Sequence, residues 1–215
     1  MTDISLAIFD LDGTLVDAYP AIYRSVNFTL SAFGYPPQSG RVIRRAVGWG
    51  DKSLLRPFVK ARELDAALAV YRRYHAKALV RGTRLLPGAR KVLATLKRRG
   101  YKLAVASNRP TRFSRIIMEH CGISGYFDRV LCGDKVARGK PDPMILREIM
   151  ARLKVVPARA VYVGDMFLDI QTARRAGTAA IAVSTGSSTR VELRREKPDL
   201  LLGGVTEILP YLPGN

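Results

Sequence analysis

Beyond residue 85 the chain alternates short apolar runs with amphipathic segments, and this rhythm restricts its possible folds more than any other feature. The apolar runs predict β-strands at residues 101–107, 128–132, 160–165 and 179–184, with helices at 88–99, 110–120, 142–154 and 168–176. PDLLLGG and VTEILPYL predict a final short strand and helix. Apolar strands that alternate with helices are typical of an α/β fold, a parallel sheet with helices on both faces.

A long helical segment separates the first strand from the others. Residues 4–9, ISLAIF, have the pattern of a buried strand, whereas residues 16–84 contain helical patterns and no strand pattern. We therefore predict a core domain made of residues 1–15 and 85–215. Residues 16–84 are predicted to form a separate, all-helical domain that is inserted after the first strand.

The carboxyl ends of the predicted strands carry the residues most able to do chemistry. Parallel sheets bind their ligands at this edge, where the strand order switches direction. Seven residues occupy these positions or the connections that follow: Asp10, Asp12, Ser107, Asn108, Lys140, Asp165 and Asp169. Each alone has an ordinary explanation, such as a turn, a helix cap or a solvated loop residue. Their joint occurrence at matching strand ends favours one polar crevice.

The two aspartates after the first strand suit a site that handles phosphate. Asp10 and Asp12 lie two positions apart on extended chain, so their side chains point to the same side. Carboxylate oxygens are ligands that Mg²⁺ prefers, and Asp165 is a candidate to complete such a site. A carboxylate also acts as a nucleophile in enzymes that form an aspartyl-phosphate, provided that a metal ion or an ammonium group offsets the repulsion between the anions.

Four motifs occur in order along most of the chain: DLDGT, a strand that ends in Ser-Asn, KPDP, and VGDMFLD. In this combination the chain resembles the haloacid dehalogenase superfamily of phosphohydrolases. The resemblance implies a Rossmann-like parallel sheet, with Asp10 as the nucleophile and Asp12 as the general acid and base. It also implies that Ser107, Asn108 and Lys140 bind the phosphate group.

The same resemblance implies a Mg²⁺ cofactor. In this family the ion is bound by the carboxylates of Asp10 and Asp165 and by the backbone carbonyl of Asp12, and Asp169 orients these ligands. The haloalkanoate dehalogenases lack the second aspartate of the first motif, and phosphonoacetaldehyde hydrolases carry a different residue there. The presence of Asp12 therefore favours phosphate esters as substrates.

Residues 16–84 resemble the helical cap of the phosphoglycolate phosphatase-like subgroup, through FDLDGTLVDAYPAIYRSVNFTLSAFGYPP and VGWGDKSLLRPF. Such a cap closes over the site, excludes water and selects the leaving group. Arg45, Trp49 and Lys52 are candidates for substrate contact, with solvated helix charges and ordinary packing as the alternatives. Met166 and Phe167 replace the small polar residues that often follow the aspartate of the fourth motif, so we expect details of substrate choice or of closure to differ from those of the subgroup.

These features predict an Mg²⁺-dependent phosphatase for a small phosphorylated metabolite, with phosphoglycolate as the favoured substrate. The alternatives on the same scaffold are a phosphomutase similar to β-phosphoglucomutase, a pyrophosphatase and a nucleotidase. A more distant alternative comes from the net charge of +18, which favours anionic partners such as nucleic acid. No nucleic-acid-binding motif accompanies that charge, and we therefore do not expect nucleic acid as a partner.

The remaining features concern the environment of the chain. Cys121 and Cys132 lack metal-binding spacing and predict reduced thiols in a cytoplasmic protein. The sequence has no stretch with the length of a membrane span and nothing that resembles a signal peptide. We expect a monomer or a homodimer, and we interpret His75 and His120 as structural residues.

Overall fold

A six-stranded parallel sheet forms the centre of the computed structural model, which describes residues 3–214. The strands are β1 (Leu6–Phe9), β2 (Val16–Asp17), β3 (Arg84–Leu85), β4 (Lys102–Ser107), β5 (Arg129–Cys132), β6 (Ala160–Gly164), β7 (Ala179–Val183) and β8 (Leu200–Leu202). The sheet has the order β5-β4-β1-β6-β7-β8, whereas β2 and β3 form a separate antiparallel pair. β1 therefore lies between β4 and β6 at the centre of the sheet.

Helices cover both faces of this sheet, as the sequence predicts for an α/β fold. They are α1 (Tyr19–Ala32), α2 (Gly40–Ala46), α3 (Asp51–Leu55), α4 (Leu64–Gly82), α5 (Ala89–Arg98), α6 (Thr111–His120), α7 (Met144–Leu153), α8 (Phe167–Ala176) and α9 (Arg190–Arg195). Successive side chains of a strand point to opposite faces. Ala7 and Phe9 of β1 pack in one apolar core with α5 and α6, while Leu6 and Ile8 pack in a second core with α7 and α8.

The segment between β2 and β3 is helical. Helices α1 to α4 enclose an apolar cluster of their own, which includes Tyr19, Ile22, Leu55 and Tyr71. Ala21 near the start of α1 and Ala78 near the end of α4 belong instead to the core that contains Ala7 and Phe9 of β1. These two helices therefore anchor the segment to the sheet. The chain leaves the core through β2 and returns through β3, which are paired with each other.

Four short elements differ from the sequence prediction. The pair β2 and β3 falls at the edges of the segment for which no strand is predicted, because two residues are too few to show alternation. The sequence pattern also does not predict α9, although Thr189 and Glu192 form the capping box that begins it. The predicted last helix is a single 3-10 turn, Val205–Ile208. Across residues 3–214, no helix combines the length and the apolar character that a membrane span requires.

Candidate active site

The carboxyl ends of β1, β4 and β6 meet beside a cavity of about 60 Å³ between the sheet and the helical segment. The residues predicted at strand ends that line the cavity are Asp10, Asp12, Ser107, Asn108 and Lys140. Asp165 and Asp169 follow β6 and are buried next to Asp10. The structure therefore brings all seven of these residues together.

Three buried carboxylates form an acidic cluster. Oxygen atoms of Asp10, Asp165 and Asp169 lie within 4.8 Å of one another. Burial raises the pKa of Asp10, the charge of Lys140 partly opposes this increase, and the charge of Asp169 adds to it, so that the pKa is about 6. Burial and the charges of Asp169 and Asp10 also raise the pKa of Asp165 well above its ordinary value. Such a cluster favours a bound cation.

Lys140 is the ammonium group of this cluster. Its Nζ atom donates hydrogen bonds to Asp10 Oδ1 at 2.9 Å, to Asp169 Oδ1 at 2.7 Å and to the hydroxyl of Tyr162 at 2.9 Å. Burial alone would lower the pKa of Lys140, but the charges of Asp10 and Asp169 raise it well above its usual value. Lys140 therefore stays positively charged beside Asp10.

Asn108 fixes the backbone that carries Lys140. Its side-chain oxygen accepts a hydrogen bond from the Lys140 N–H at 2.8 Å, and its amide nitrogen donates to the Lys140 carbonyl at 3.1 Å. The same nitrogen donates to the carbonyl oxygen of Gly48, between α2 and α3, at 2.8 Å. One side chain thus joins the loop of Lys140 to the helical segment.

Asp165 accepts hydrogen bonds both from the part of the chain that contains the sheet and from the helical segment. The backbone N–H of Ser187 donates to it at 2.7 Å, the hydroxyl of Thr14 at 3.3 Å and that of Tyr19 at 3.4 Å. Tyr19 begins α1, so the helical segment contacts the acidic cluster as well as the cavity. These donors fix the direction in which the carboxylate of Asp165 points.

Asp12 is paired with an arginine that the sequence analysis does not single out. Asp12 Oδ2 accepts a hydrogen bond from Arg109 Nε at 2.7 Å, and both side chains are about nine-tenths buried. Asp12 Oδ1 is buried and has no hydrogen-bond partner among residues 3–214. Arg109 follows the Ser-Asn motif directly, and this position after β4 is the only sign of its role in the sequence. Ser107 Oγ accepts a hydrogen bond from the Arg109 N–H at 3.3 Å.

His75 lies on α4 in contact with the same arginine. Its Nε2 atom is 2.8 Å from Arg109 Nη1, and its Nδ1 atom is 2.8 Å from Ser25 Oγ. Burial, together with the charge of Arg109, lowers the pKa of His75 well below its ordinary value. His75 is therefore a neutral, buried residue that connects the helical segment to Arg109. His120, at the end of α6, is exposed.

The three cap residues predicted to contact substrate lie outside the lining of the cavity. Arg45 forms an ion pair with Glu192, and Lys52 forms one with Asp65. Trp49 is 48% exposed, and its ring lies 6.3 Å from that of Phe167. The cap residues that do line the cavity are mostly apolar or small: Ile22, Val47, Gly48, Gly50, Asp51, Leu54 and Tyr71.

Met166 lines the cavity next to Gly48 of the helical segment. It is one of the lining residues, and a Cβ atom added at Gly48 would overlap its sulfur atom. Gly48 also has a φ angle of +113°, which favours glycine. The residue that departs from the usual fourth motif is therefore in contact with the cap loop.

The family model of haloacid dehalogenase-like hydrolases matches residues 7–183. Phosphoglycolate phosphatase 1 of Pseudomonas aeruginosa is 31% identical over 214 residues, covering 95% of this chain and 78% of that protein. Phosphoglycolate phosphatase of Yersinia pestis is 31% identical, covering 95% of this chain and 91% of that protein. A solved structure from Haemophilus somnus, described as a predicted phosphoglycolate phosphatase, has a TM-score of 0.94 at 28% identity and covers 99% of this chain and 100% of its own.

The chain therefore belongs to the haloacid dehalogenase-like hydrolases. Within that family it is a phosphatase, an enzyme that hydrolyses phosphate monoesters, and it is similar to the phosphoglycolate phosphatases. The family predicted from the four motifs is confirmed, and so is the α/β fold with its parallel sheet.

Proposed function

We propose that this phosphatase hydrolyses phosphoglycolate in a Mg²⁺-dependent reaction that passes through an aspartyl-phosphate on Asp10. The observation that carries the proposal is the buried contact between Asp10 and Lys140, 2.9 Å apart at the edge of the cavity. The relatives named above supply the substrate. An ammonium group beside a carboxylate offsets the repulsion that this nucleophile meets as it approaches a phosphate dianion.

The reaction needs two displacements at phosphorus. A carboxylate oxygen of Asp10 attacks the phosphorus atom, the bond to the ester oxygen breaks, and Asp12 gives that oxygen a proton so that the alcohol leaves. Water then attacks the phosphorus of the aspartyl-phosphate, Asp12 takes a proton from it, and the bond to Asp10 breaks to release inorganic phosphate. Asp12 suits both roles because its Oδ1 atom is buried at the cavity and unpartnered among the described residues.

The proposed phosphate site consists of three residues at the cavity edge. Lys140 supplies a positive charge, Ser107 supplies a hydroxyl group, and Asn108 holds the Lys140 loop in place. The side chains of Ser107 and Lys140 are nearly inaccessible to solvent. In such an environment, charges and dipoles act more strongly than they do in water.

The acidic cluster fits a magnesium ion. Its donors are the carboxylate oxygens of buried aspartates, which is the ligand type that Mg²⁺ prefers, and it contains more negative charge than Lys140 neutralises. Asp10, Asp165 and the backbone carbonyl of Asp12 would hold the ion, with Asp169 as support. Bound there, Mg²⁺ would supply positive charge to the phosphoryl oxygens.

The size and the apolar lining of the cavity favour a small leaving group over the alternatives. The cavity holds about 60 Å³, and its helical side is lined by apolar residues such as Ile22, Val47 and Leu54. A hexose phosphate, as in a phosphomutase, or a nucleotide would present several hydroxyl groups or a base to this apolar surface. Pyrophosphate is itself small, so a substrate panel must distinguish a pyrophosphatase from a phosphatase.

We also propose that the enzyme acts in the cytoplasm, as a monomer or a homodimer, and without a nucleic-acid partner. Both cysteines, Cys121 and Cys132, are free and buried, which suits a reducing compartment. The surface carries much of the net positive charge as exposed arginines. Duplex binding that persists at moderate salt would contradict this part of the proposal.

The test is phosphate release from a panel of phosphoglycolate, sugar phosphates, nucleotides and pyrophosphate, with Mg²⁺ and with EDTA. We expect phosphoglycolate to dominate, and we expect both EDTA and the Asp10→Asn variant to abolish turnover. Asp17→Asn is the matched control, because Asp17 lies close to Asp10 in the sequence but accepts a hydrogen bond from the Tyr19 N–H and does not line the cavity. Turnover that survives in Asp10→Asn would refute the aspartyl-phosphate mechanism.

A further inference from the structure

The cavity has two cationic side chains among its lining residues, and they are bound differently. Lys140 donates to three partners, so all three of its N–H groups are used. Arg109 has five N–H groups, of which Nε–H is given to Asp12 and one on Nη1 to His75. The other three, including both on Nη2, donate to no residue between 3 and 214. Arg109 therefore keeps donors for a further anion.

The orientation of Arg109 is fixed by a chain of hydrogen bonds into the cap. Since an arginine only donates, the Nε2 atom of His75 must accept, and the proton of this neutral imidazole lies on Nδ1. Nδ1–H then donates to Ser25 Oγ at 2.8 Å, and the Ser25 hydroxyl donates to the carbonyl oxygen of Ala21 at 2.7 Å. Each hydrogen bond in this series has only one possible donor. Residues of α1 and α4 therefore fix the orientation of the Arg109 guanidinium group.

The rest of the cavity offers little to a charged leaving group. The cap side is lined by apolar side chains such as Ile22, Val47 and Leu54. The one carboxylate on that side, Asp51, is already bound by Arg72 through two hydrogen bonds of 2.7 and 3.1 Å. A carboxylate that loses its water in such a place must be paired with a cation, because an unpaired buried charge is strongly unfavourable.

We propose that Arg109 binds the carboxylate of the substrate's leaving group, and that His75 positions it for this contact. The inference rests on the proposed function, because it assigns the residue that would recognise the acid group of phosphoglycolate. Arg109 then selects phosphate esters of small hydroxy acids over esters of neutral alcohols of similar size. The planar fork of the guanidinium suits a carboxylate, which accepts two parallel hydrogen bonds.

The test compares two substrates that differ in one group. Phosphoglycolate carries a carboxylate, whereas ethyl phosphate has a methyl group in the same place. We expect the Arg109→Gln variant to lose roughly 10- to 100-fold in kcat/KM for phosphoglycolate relative to ethyl phosphate, mainly through KM. Because Arg109 also contacts Asp12, a change common to both substrates is expected, and the ratio of the two kcat/KM values cancels it.

Two further variants control for charge and for folding. Arg112→Gln changes an exposed arginine of α6 three residues away, and we expect it to leave the ratio as in the wild type. Arg109→Lys keeps the charge beside Asp12 but removes the planar fork, and we expect it to lose most of the preference for phosphoglycolate. Circular dichroism shows whether each variant is folded. If Arg109→Gln does not fold, the ratio of the two kcat/KM values is measured for Arg109→Lys instead.

A binding measurement separates this inference from the proposed function. Titration calorimetry on Asp10→Asn, with and without Arg109→Lys, gives the affinity for both esters without turnover. We expect tighter binding of phosphoglycolate, by about 10-fold or more, which Arg109→Lys removes. A preference that survives both Arg109 substitutions would overturn the inference, even if phosphoglycolate is hydrolysed. Absence of turnover in the wild type would overturn the proposed function, and the calorimetry would still decide the role of Arg109.

Discussion

The cavity has two walls, one formed by the strand ends of the sheet and one by the helical segment, and they differ in how deeply their ion pairs are buried. On the sheet side, Lys140 and Arg109 form buried ion pairs with Asp10, Asp169 and Asp12. On the side of the helical segment, Lys52 and Asp65 form a surface pair in which both side chains are at least half exposed, and Asp51, which lines the cavity, pairs with the half-exposed Arg72. Buried pairs are costly to break, whereas exposed pairs contribute little. The buried charges of the cavity therefore lie on the sheet side, whereas the side chains that the helical segment contributes to the lining are mostly apolar or small.

The largest expected effect comes from removing the central cation of the sheet wall. In Lys140→Met, the carboxylates of Asp10 and Asp169 lose their partner, and we expect the free energy of unfolding to fall by about 3–5 kcal/mol. We expect kcat/KM to fall on the order of 100-fold or more. Urea unfolding and phosphate release measure the two effects.

The control for this substitution is an exposed lysine of the same sheet. Lys102 begins β4 and its side chain donates to the carbonyl oxygen of Leu153 at the surface. Lys102→Met should change the unfolding free energy by less than about 1 kcal/mol. Equal losses in the two variants would remove the distinction between buried and exposed charges on which the comparison depends.

The second-largest effect is expected at Gly48, where the helical segment contacts Met166 on the sheet side of the cavity. In Gly48→Ala the new methyl group meets the sulfur of Met166, and the residue must also keep a positive φ angle. We expect a loss of about 1–3 kcal/mol in stability and a loss of about 10-fold in kcat/KM, because the cap loop moves away from the site. The measurements are thermal unfolding and steady-state kinetics.

Gly34→Ala separates backbone strain from contact with Met166. Gly34 has a φ angle of +72°, but a Cβ atom there would meet nothing within 4 Å. We expect a loss of stability of about 1 kcal/mol and no change in kcat/KM. If Gly34→Ala impairs turnover as strongly as Gly48→Ala, cap closure at Met166 is not the cause.

A smaller effect is expected at His75, which connects the helical segment to Arg109 on the sheet side of the cavity. The lowered pKa of His75 means that the unfolded chain binds a proton below about pH 6.5 while the folded protein does not. Stability should therefore fall as the pH drops below about 6.5, by up to about 1.4 kcal/mol per pH unit from this group. Comparison with His75→Gln isolates this contribution from the aspartates with raised pKa values, which act in the opposite direction.

Urea unfolding from pH 7.5 to pH 5 checks the prediction. The stability difference between the wild type and His75→Gln should shrink as the pH falls. His120→Gln, which changes an exposed histidine, is the matched control and should keep the wild-type free energy of unfolding at pH 7.5. Parallel curves for the wild type and His75→Gln would show that folding does not lower the pKa of His75.

The smallest effects are expected at the exposed cap charges. Arg45 pairs with Glu192 and Lys52 with Asp65, both at the surface. We expect Arg45→Ala and Lys52→Ala to keep kcat/KM within about threefold of the wild type. A KM for phosphoglycolate that rises tenfold in either variant would instead support the substrate contact predicted from the sequence.

The sequence predicts the sheet well because its strands are apolar on both faces and therefore unbroken. It also indicates Asp10, Asp12, Lys140 and Asp165, since the ends of parallel strands converge and few side chains there are polar. Arg109 is different. Its importance depends on burial against Asp12, 97 positions earlier in the chain, and on a histidine of α4.

Packing between distant parts of the chain also determines the positions of the three residues predicted to contact substrate, Arg45, Trp49 and Lys52. Charges near GWG are visible in the sequence, but their directions depend on helix packing and on partners such as Asp65 and Glu192. An exposed arginine and a buried one have the same local pattern. Local sequence therefore identifies strand-end chemistry better than it identifies the surface that a cap presents.

The paired strands β2 and β3 have a consequence for how such enzymes diverge. Val16 pairs with Leu85 and Asp17 with Arg84, so the whole segment between them is attached to the core at neighbouring points. An insertion of another length or composition needs only to begin and end at this pair, because Asp10, Lys140 and Asp165 lie outside it, after strands of the sheet or in a loop between its elements. Evolution can therefore exchange the helical segment without moving these three residues.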